Sequence, residues 1–254
     1  MSEWEDIFLK EVSRIIFRFA DPHKLTKYLI MSLGVPSRTL ESKLKNKRKL
    51  GPVIIGDFDG ISVAIAPRQS GTIQLEEFLR LIPPDTVQYI IGLGAVGALQ
   101  SDIQIGDLIV PTQAIRGEGL TGYYYPPEEP ALPDPMLVEI LSQCAENTKA
   151  RIHKGTIFTT GSLLHETDEL IGEWHDNGYI GVDCEASAFF LLCKYCGFMG
   201  AMILYVSDNP FTKQVFTKNF GSILRVFRAE RKAARSIYQT ISMIEGEKNG
   251  EDKG

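Results

Sequence analysis

Apolar runs at 53–55, 61–65, 87–93, 107–111, 152–159, 179–182 and 201–206 alternate along this chain with segments whose apolar residues recur at three- and four-residue steps, at 4–19, 72–81, 135–145, 186–195 and 220–244. The short runs read as strands and the stepped segments as amphipathic helices. A strand buried on both faces needs helices above and below it. The alternation therefore predicts an α/β fold with a sheet covered on both sides. None of the apolar runs approaches the roughly 20 residues that span a bilayer.

The chain has 254 residues, 44% of them apolar, enough to bury one large core. We expect one domain over 1–245, with residues 1 to about 50 as an N-terminal helical extension. The charged, glycine-rich stretch at 246–254 is expected to be a disordered tail. Asp57-Phe58-Asp59-Gly60, between two apolar runs, carries the Asp-Gly pair of a tight hairpin. A formal net charge of -5 gives no general attraction to nucleic acid or to an anionic membrane, and neither is expected as a partner. The basic run Lys-Leu-Lys-Asn-Lys-Arg-Lys at 43–49 reads as solvated surface. Four cysteines, Cys144, Cys184, Cys193 and Cys196, are too few for a disulfide framework. Cys193 and Cys196 have metal-like spacing but no second pair, so no metal is expected. The opening Met-Ser-Glu-Trp-Glu-Asp lacks the basic and apolar regions of a signal peptide, which points to the cytoplasm.

Two carboxylates stand out. Glu185 lies at the mouth of an apolar helix and Asp208 at the end of an apolar strand. Such a pair suits one group accepting hydrogen bonds from sugar hydroxyls and another handling a proton. Each also has a plainer reading, Glu185 as a helix cap and Asp208 as the anchor of an Asp-Asn-Pro turn. Gly92, Gly94 and Gly97 spell Gly-x-Gly-x-x-Gly and read as a turn ending a strand. A dinucleotide site would need a helix there and an acidic residue about 20 positions on. Another strand follows instead.

The order of motifs resembles the superfamily of nucleoside phosphorylases and hydrolases that includes uridine phosphorylase, hexameric purine nucleoside phosphorylase and methylthioadenosine nucleosidase. The resemblance runs from about residue 51 to 209. It is carried by Ile73-x-x-x-Glu77-Phe78, the Gly94 to Ala98 segment, Ile105-Gly106-Asp107-Leu108-Ile109-Val110, Val182-Asp183-Cys184-Glu185-Ala186 and Val206-Ser207-Asp208. The stretches 114–119 and 159–167 look most like uridine phosphorylase.

The resemblance implies a three-layer αβα architecture with a central mixed, strongly twisted sheet. It implies a nucleoside phosphorylase, with a uridine-like substrate ahead of a purine, and phosphate as co-substrate with no other cofactor. Glu185 would hold the ribose 2′- and 3′-hydroxyls, with Cys184 against the sugar and base, and Asp208 would protonate the departing base. Thr160, Ser162, His165 and Arg116 would face the base. The partners implied are small molecules and further copies of the chain, as a dimer, trimer or hexamer.

Phosphate ligands are where the sequence departs from the family. Gly92 stands where the phosphorylases have arginine, and Ala95 where they have serine or threonine. A Gly-Asp-Pro loop with an arginine is expected near the start, and none is found. Arg68 is the expected replacement, assisted by Ser70 and the amides of Gly71, Gly94 and Ala95. A surface arginine is the plainer reading. Two other functions follow from the same departures: a hydrolase that uses water, and a nucleoside-binding protein without turnover.

Overall fold

The computed structural model describes residues 3–18, 20–34 and 38–251. Its helices are α1 (Glu3–Ile16), α2 (Arg38–Glu41), α3 (Thr72–Leu79), α4 (Pro135–Glu146), α5 (Asp168–Asp176), α6 (Ala186–Cys196) and α7 (Phe220–Glu251). Its strands are β1 (Tyr28–Leu33), β2 (Lys45–Leu50), β3 (Val53–Phe58), β4 (Ile61–Ile65), β5 (Tyr89–Ala98), β6 (Leu108–Gly117), β7 (Ile152–Thr160), β8 (Gly181–Asp183), β9 (Met199–Asn209) and β10 (Gln214–Val215).

All ten strands share one mixed sheet in the order β10-β9-β6-β7-β8-β5-β1-β4-β3-β2, and β9 also pairs with β5. That extra pairing closes β5, β9, β6, β7 and β8 into a ring, which only a strongly curled sheet can do. The expected αβα arrangement is present. Alternate residues of β9 serve opposite faces: Met202, Leu204 and Val206 pack in the cluster that holds α3 and α6, while Ala201, Ile203 and Tyr205 pack in the one that holds α4 and α7. Each fully buried Leu, Ile or Phe contributes roughly 1.5–3 kcal/mol, so the two layers are the main source of stability.

The expected hairpin is β3–β4, with Asp59 and Gly60 at positive φ of 48° and 85°. Three expectations need correction. Residues 1 to about 50 are not a helical extension, because β1 pairs with β4 on one side and β5 on the other and all six of its residues are buried. A six-residue apolar run without alternation carries no period that separates strand from helix. The basic run is an edge strand, β2, paired only with β3; its charges are solvated, as read, and such charges keep an edge from pairing with other chains.

The second correction concerns 92–98, which is not a turn but the second half of β5, between β1 and β9. Its glycines mark close approach rather than chain reversal. A Cβ at Gly92 would stand 2.8 Å from Met202 Cγ. Finally, α7 runs to Glu251 instead of ending before a tail at 246, since extending a formed helix costs far less than nucleating one. Residues 252–254, and the Phe19 end expected for the first helix, lie outside the described residues.

Gly117 closes β6 where it delivers the following loop to the site. A Cβ there would press on the Phe158 ring and stand 2.6 Å from the Thr159 carbonyl oxygen. Gly117→Ala should therefore destabilise the protein by about 1–3 kcal/mol in urea unfolding. An unchanged midpoint would contradict this packing.

Candidate active site

β1, β5 and β9 are parallel to one another, β6, β7 and β8 form a second parallel set antiparallel to the first, and ends of strands from both sets open on a cavity of about 690 Å3. Ends of parallel strands are where α/β sheets bind ligands, because loops diverge there and leave a crevice. Gly34 follows β1, Ala95, Val96 and Gly97 finish β5, Thr160 ends β7, and Ser207 and Asp208 lie at the end of β9.

Asp208 reaches the cavity through a bulge. Val96 pairs with Val206 but Gly97 pairs with Asp208, so Ser207 is the extra residue. Bulges re-aim side chains, and this one directs both Ser207 and Asp208 inward. A Cβ on Gly97 would stand 3.2 Å from Asp208 Oδ2, so the glycine leaves room for the carboxyl. The Ser207 hydroxyl donates to Asp208 Oδ1 at 2.5 Å. Burial raises the Asp208 pKa, and the serine bond opposes that shift.

Glu185 comes between β8 and α6, and its side chain does not cap the helix. Asp183 caps instead: its Oδ2 accepts the Ala186 N–H at 2.7 Å and the Glu185 N–H at 3.3 Å, and its Oδ1 accepts the Thr159 hydroxyl at 2.8 Å. Glu185 is thereby free to face the cavity. Its Oε1 accepts the Gly71 N–H at 2.8 Å. Burial raises the Glu185 pKa, opposed by the Gly71 and Cys184 amides. Asp183 is pushed up to about 7 by burial and then by the Glu185 charge.

The structure thus brings Glu185, Cys184 and Asp208 into one cavity, together with Thr160, Ser70, Gly71 and Ala95. Burial and three neighbouring carboxylates push the Cys184 thiol up to about 12, which disfavours the thiolate. Other expected residues lie elsewhere. Arg116 braces the following loop, donating to Thr121 Oγ1 at 2.9 Å, the Tyr125 carbonyl at 3.1 Å and the Pro126 carbonyl at 2.5 Å. Ser162 and His165 are exposed on the 160–167 loop and do not line the cavity. Gly94 is packed between Leu204 and Leu33. Arg68 is exposed outside the lining, its Nη1 donating to the Gly34 carbonyl at 3.2 Å. The Gly71 amide expected to serve phosphate is already engaged by Glu185, and the Ser70 amide beside it donates to Gln74 Oε1 at 3.0 Å.

Three further carboxyls line the cavity, of which the sequence pointed only to Glu118, on a glycine-flanked loop after a strand. Glu118 holds the Thr121 hydroxyl, the Thr121 amide at 3.1 Å and the Ser187 hydroxyl at 3.2 Å. Glu166 faces Asp208 and is pushed up to about 7 by burial and then by that charge. Asp183 is the third. Among the described residues, the lining contains Glu118, Glu166, Asp183, Glu185 and Asp208 but no lysine, arginine or histidine. A signal was also missed at the N-terminal side: Gly34-Val35-Pro36-Ser37-Arg38 keeps the glycine, proline and arginine of the expected loop, with valine in place of aspartate.

The family model of the Phosphorylase superfamily matches residues 33–241. The chain belongs to that superfamily. A guanosine phosphorylase of Halorubrum lacusprofundi is 29% identical over 173 residues, 66% of this chain and 70% of that one. A uridine phosphorylase of Thermococcus kodakarensis is 30% identical over 60% of this chain and 53% of its own length. Among solved structures, uridine phosphorylase from Vibrio fischeri superposes with a TM-score of 0.81 at 24% identity, covering 88% of this chain and 95% of that one. Purine nucleoside phosphorylase from Toxoplasma gondii gives 0.77 at 16% identity, covering 89% and 94%. These likenesses confirm the fold. Among the described residues, no helix is long and apolar enough to cross a membrane.

Asp183 also makes a pH prediction. Its folded pKa is raised, so between about pH 4 and 7 the unfolded chain gives up a proton that the native state keeps, and stability falls as pH rises. Above about 7 the loss levels off. Asp183→Asn should flatten the decline by up to about 1.4 kcal/mol per pH unit, read from urea midpoints across that window. Parallel profiles for wild type and variant would mean Asp183 titrates normally.

Proposed function

We propose that the protein cleaves the N-glycosidic bond of a ribonucleoside with phosphate, giving free base and ribose 1-phosphate. The observation that carries this reading is the placement of Glu185 and Asp208 in one cavity, the first held by the Gly71 amide and the second by the Ser207 hydroxyl. With one Glu185 oxygen held by the Gly71 amide, the remaining lone pairs can accept the two ribose hydroxyls and fix the sugar. The bond from C1′ to the base breaks as a phosphate oxygen bonds to C1′. Asp208, whose burial favours its protonated form, passes a proton to the leaving base and recovers one from solvent. Membership of the superfamily supports the reaction type.

Hydrolysis by water is the second reading, and the absence of a cation among the described lining residues favours it. A phosphate dianion amid carboxylates needs compensating charge. Arg68, tied to Gly34 beside the cavity, is the group we assign to it. The uridine-like preference loses its support on Arg116, which is spent on its own loop. Ile73 and Leu163, exposed in the cavity wall, are apolar surface that a second copy of the chain would cover in a homo-oligomer.

A panel of nucleosides incubated with and without phosphate separates the two reactions by product, ribose 1-phosphate or free ribose. We expect ribose 1-phosphate, lost by about 100-fold or more in kcat/KM for Asp208→Asn. Arg68→Ala should raise the KM for phosphate, leaving that for the nucleoside unchanged. Free ribose at equal rates in both buffers would overturn phosphorolysis in favour of hydrolysis.

A further inference from the structure

A second hollow, of about 650 Å3, lies between α2, the end of α4 and α7, and it shares no lining residue with the acidic cavity. Its charge is the reverse. Arg38 and Lys43 line it from α2 and the loop that follows, and Arg231, Lys232 and Arg235 line it from α7. Thr39, Ser42 and Thr148 add three hydroxyls, and among the described residues no carboxylate is in the lining. Lys232 donates to the Lys149 carbonyl at 2.8 Å, whereas Arg38, Lys43, Arg231 and Arg235 pair with no carboxylate among the described residues. On a chain of net charge -5, so many unopposed cations in one concavity are best offset by an anion with several charges of its own.

The hollow does not end with its cations. A pocket of about 450 Å3 abuts it, with Lys43 and Arg235 lining both. There the wall turns apolar, with the Phe58 ring and the Met243 thioether. Phe58 is held in place by Tyr238, ring centroid to ring centroid 4.5 Å, and Tyr238 by the bond from its hydroxyl to the Leu40 carbonyl at 2.8 Å. Helix α7 sets the order of the two halves, because residues four apart share a face: Arg231, Arg235, Gln239 and Met243 form one stripe. At 1.5 Å per residue that stripe is roughly 18 Å long, and it leads from guanidinium groups to an apolar wall. Inorganic phosphate would leave the apolar half empty, and a free base would leave the cations unopposed.

We propose that this groove binds a nucleoside triphosphate, with its phosphates among Lys43, Arg231 and Arg235 and its base against Phe58 and Met243, at a site apart from that of the reaction. Phosphate oxygens accept from guanidinium, ammonium and hydroxyl groups, which are the donors present. The apolar wall packs against any base and selects none. Binding here requires no turnover, so the proposal stands or falls independently of the nucleoside reading above.

Isothermal titration calorimetry in magnesium-free buffer tests it. Wild type should bind one ATP per chain, GTP equally well, and AMP and tripolyphosphate each about 10- to 100-fold more weakly, since each of the last two lacks part of the contacts. The double variant Arg231→Ala/Arg235→Ala, at two exposed positions, should lose about 10- to 100-fold for ATP while circular dichroism and nucleoside cleavage stay as in wild type. Glu185→Ala, in the acidic cavity, should leave ATP binding intact. Undetectable ATP binding, tripolyphosphate binding as tightly as ATP, or a loss in Glu185→Ala in place of the arginine variant would overturn the proposal. So would a single-stranded oligonucleotide that displaces ATP at equal affinity, which would make the groove a nucleic-acid surface. ATP binding that depends on the two arginines, in a protein that cleaves no nucleoside, would uphold it.

Discussion

The pairing of β5 with β9 is the contact on which the site depends. It is parallel and runs from Tyr89 opposite Met199 to Gly97 opposite Asp208. Without it the sheet would be an open ribbon with β9 attached only through β6 and β10. With it, the ends of β9 and β5 meet, and the one-residue bulge at Ser207 falls where the ring opens. The glycines of β5 are a condition of that closure. Side chains at Gly92 and Gly97 would crowd Met202 and the Asp208 carboxyl, which would have to give way.

A second dependence links the helix to the ligand. Three successive residues, Asp183, Cys184 and Glu185, divide three tasks. Asp183 turns inward, satisfies the first amides of α6 and ties them to β7 through Thr159. Once those amides are capped, Glu185 can point away from its own helix and meet Gly71, which begins α3 at φ 77°. The α3 and α6 helices are packed together in one core cluster, so the Glu185 oxygens are fixed relative to both. A polar network this enclosed is rigid only when every member is satisfied. Replacing Asp183 would therefore loosen Glu185 without touching it.

Much of this was legible in the sequence, and the failures have physical causes. Alternation of apolar runs with helical stripes sufficed for the layers, and Asp59-Gly60 sufficed for the β3–β4 hairpin, because in each case a local period or a local φ requirement decides the conformation. β1 was missed because Tyr-Leu-Ile-Met-Ser-Leu has no period; its identity as a strand comes from β4 and β5, which are distant in the chain. Glycines at 92, 94 and 97 read as a turn because tight turns and close strand packing require the same residue, and only the neighbours tell them apart. Glu185 and Asp208 were visible as carboxylates at element ends. Arg116 misled because a guanidinium on a glycine-flanked loop can reach a pocket or, as here, collect the carbonyls of its own loop. Glu166 lay inside a stretch singled out for its threonines and histidine, and only three-dimensional placement shows that it faces Asp208 while His165 faces outward.

The charge of the cavity constrains which ligands can be accommodated. Two like charges about 4 Å apart cost about 4 kcal/mol at the effective dielectric of a protein surface, and this lining gathers several carboxyls. Burial raises the pKa of Glu166, Asp183, Glu185 and Asp208, which is the protein's own partial relief of that repulsion. A nucleoside relieves it further, because ribose hydroxyls and base N–H groups are donors. Phosphate does the opposite. Arg68 lies just outside the lining, and Arg38, four residues beyond Gly34, lines a separate pocket with Lys43, Arg231 and Arg235. Positive charge is thus held at the margins of a cavity whose floor is acidic. An uncharged ligand would offer hydrogen-bond donors to that floor without adding charge, whereas an anion would meet it uncompensated unless positive charge from the margin reaches it.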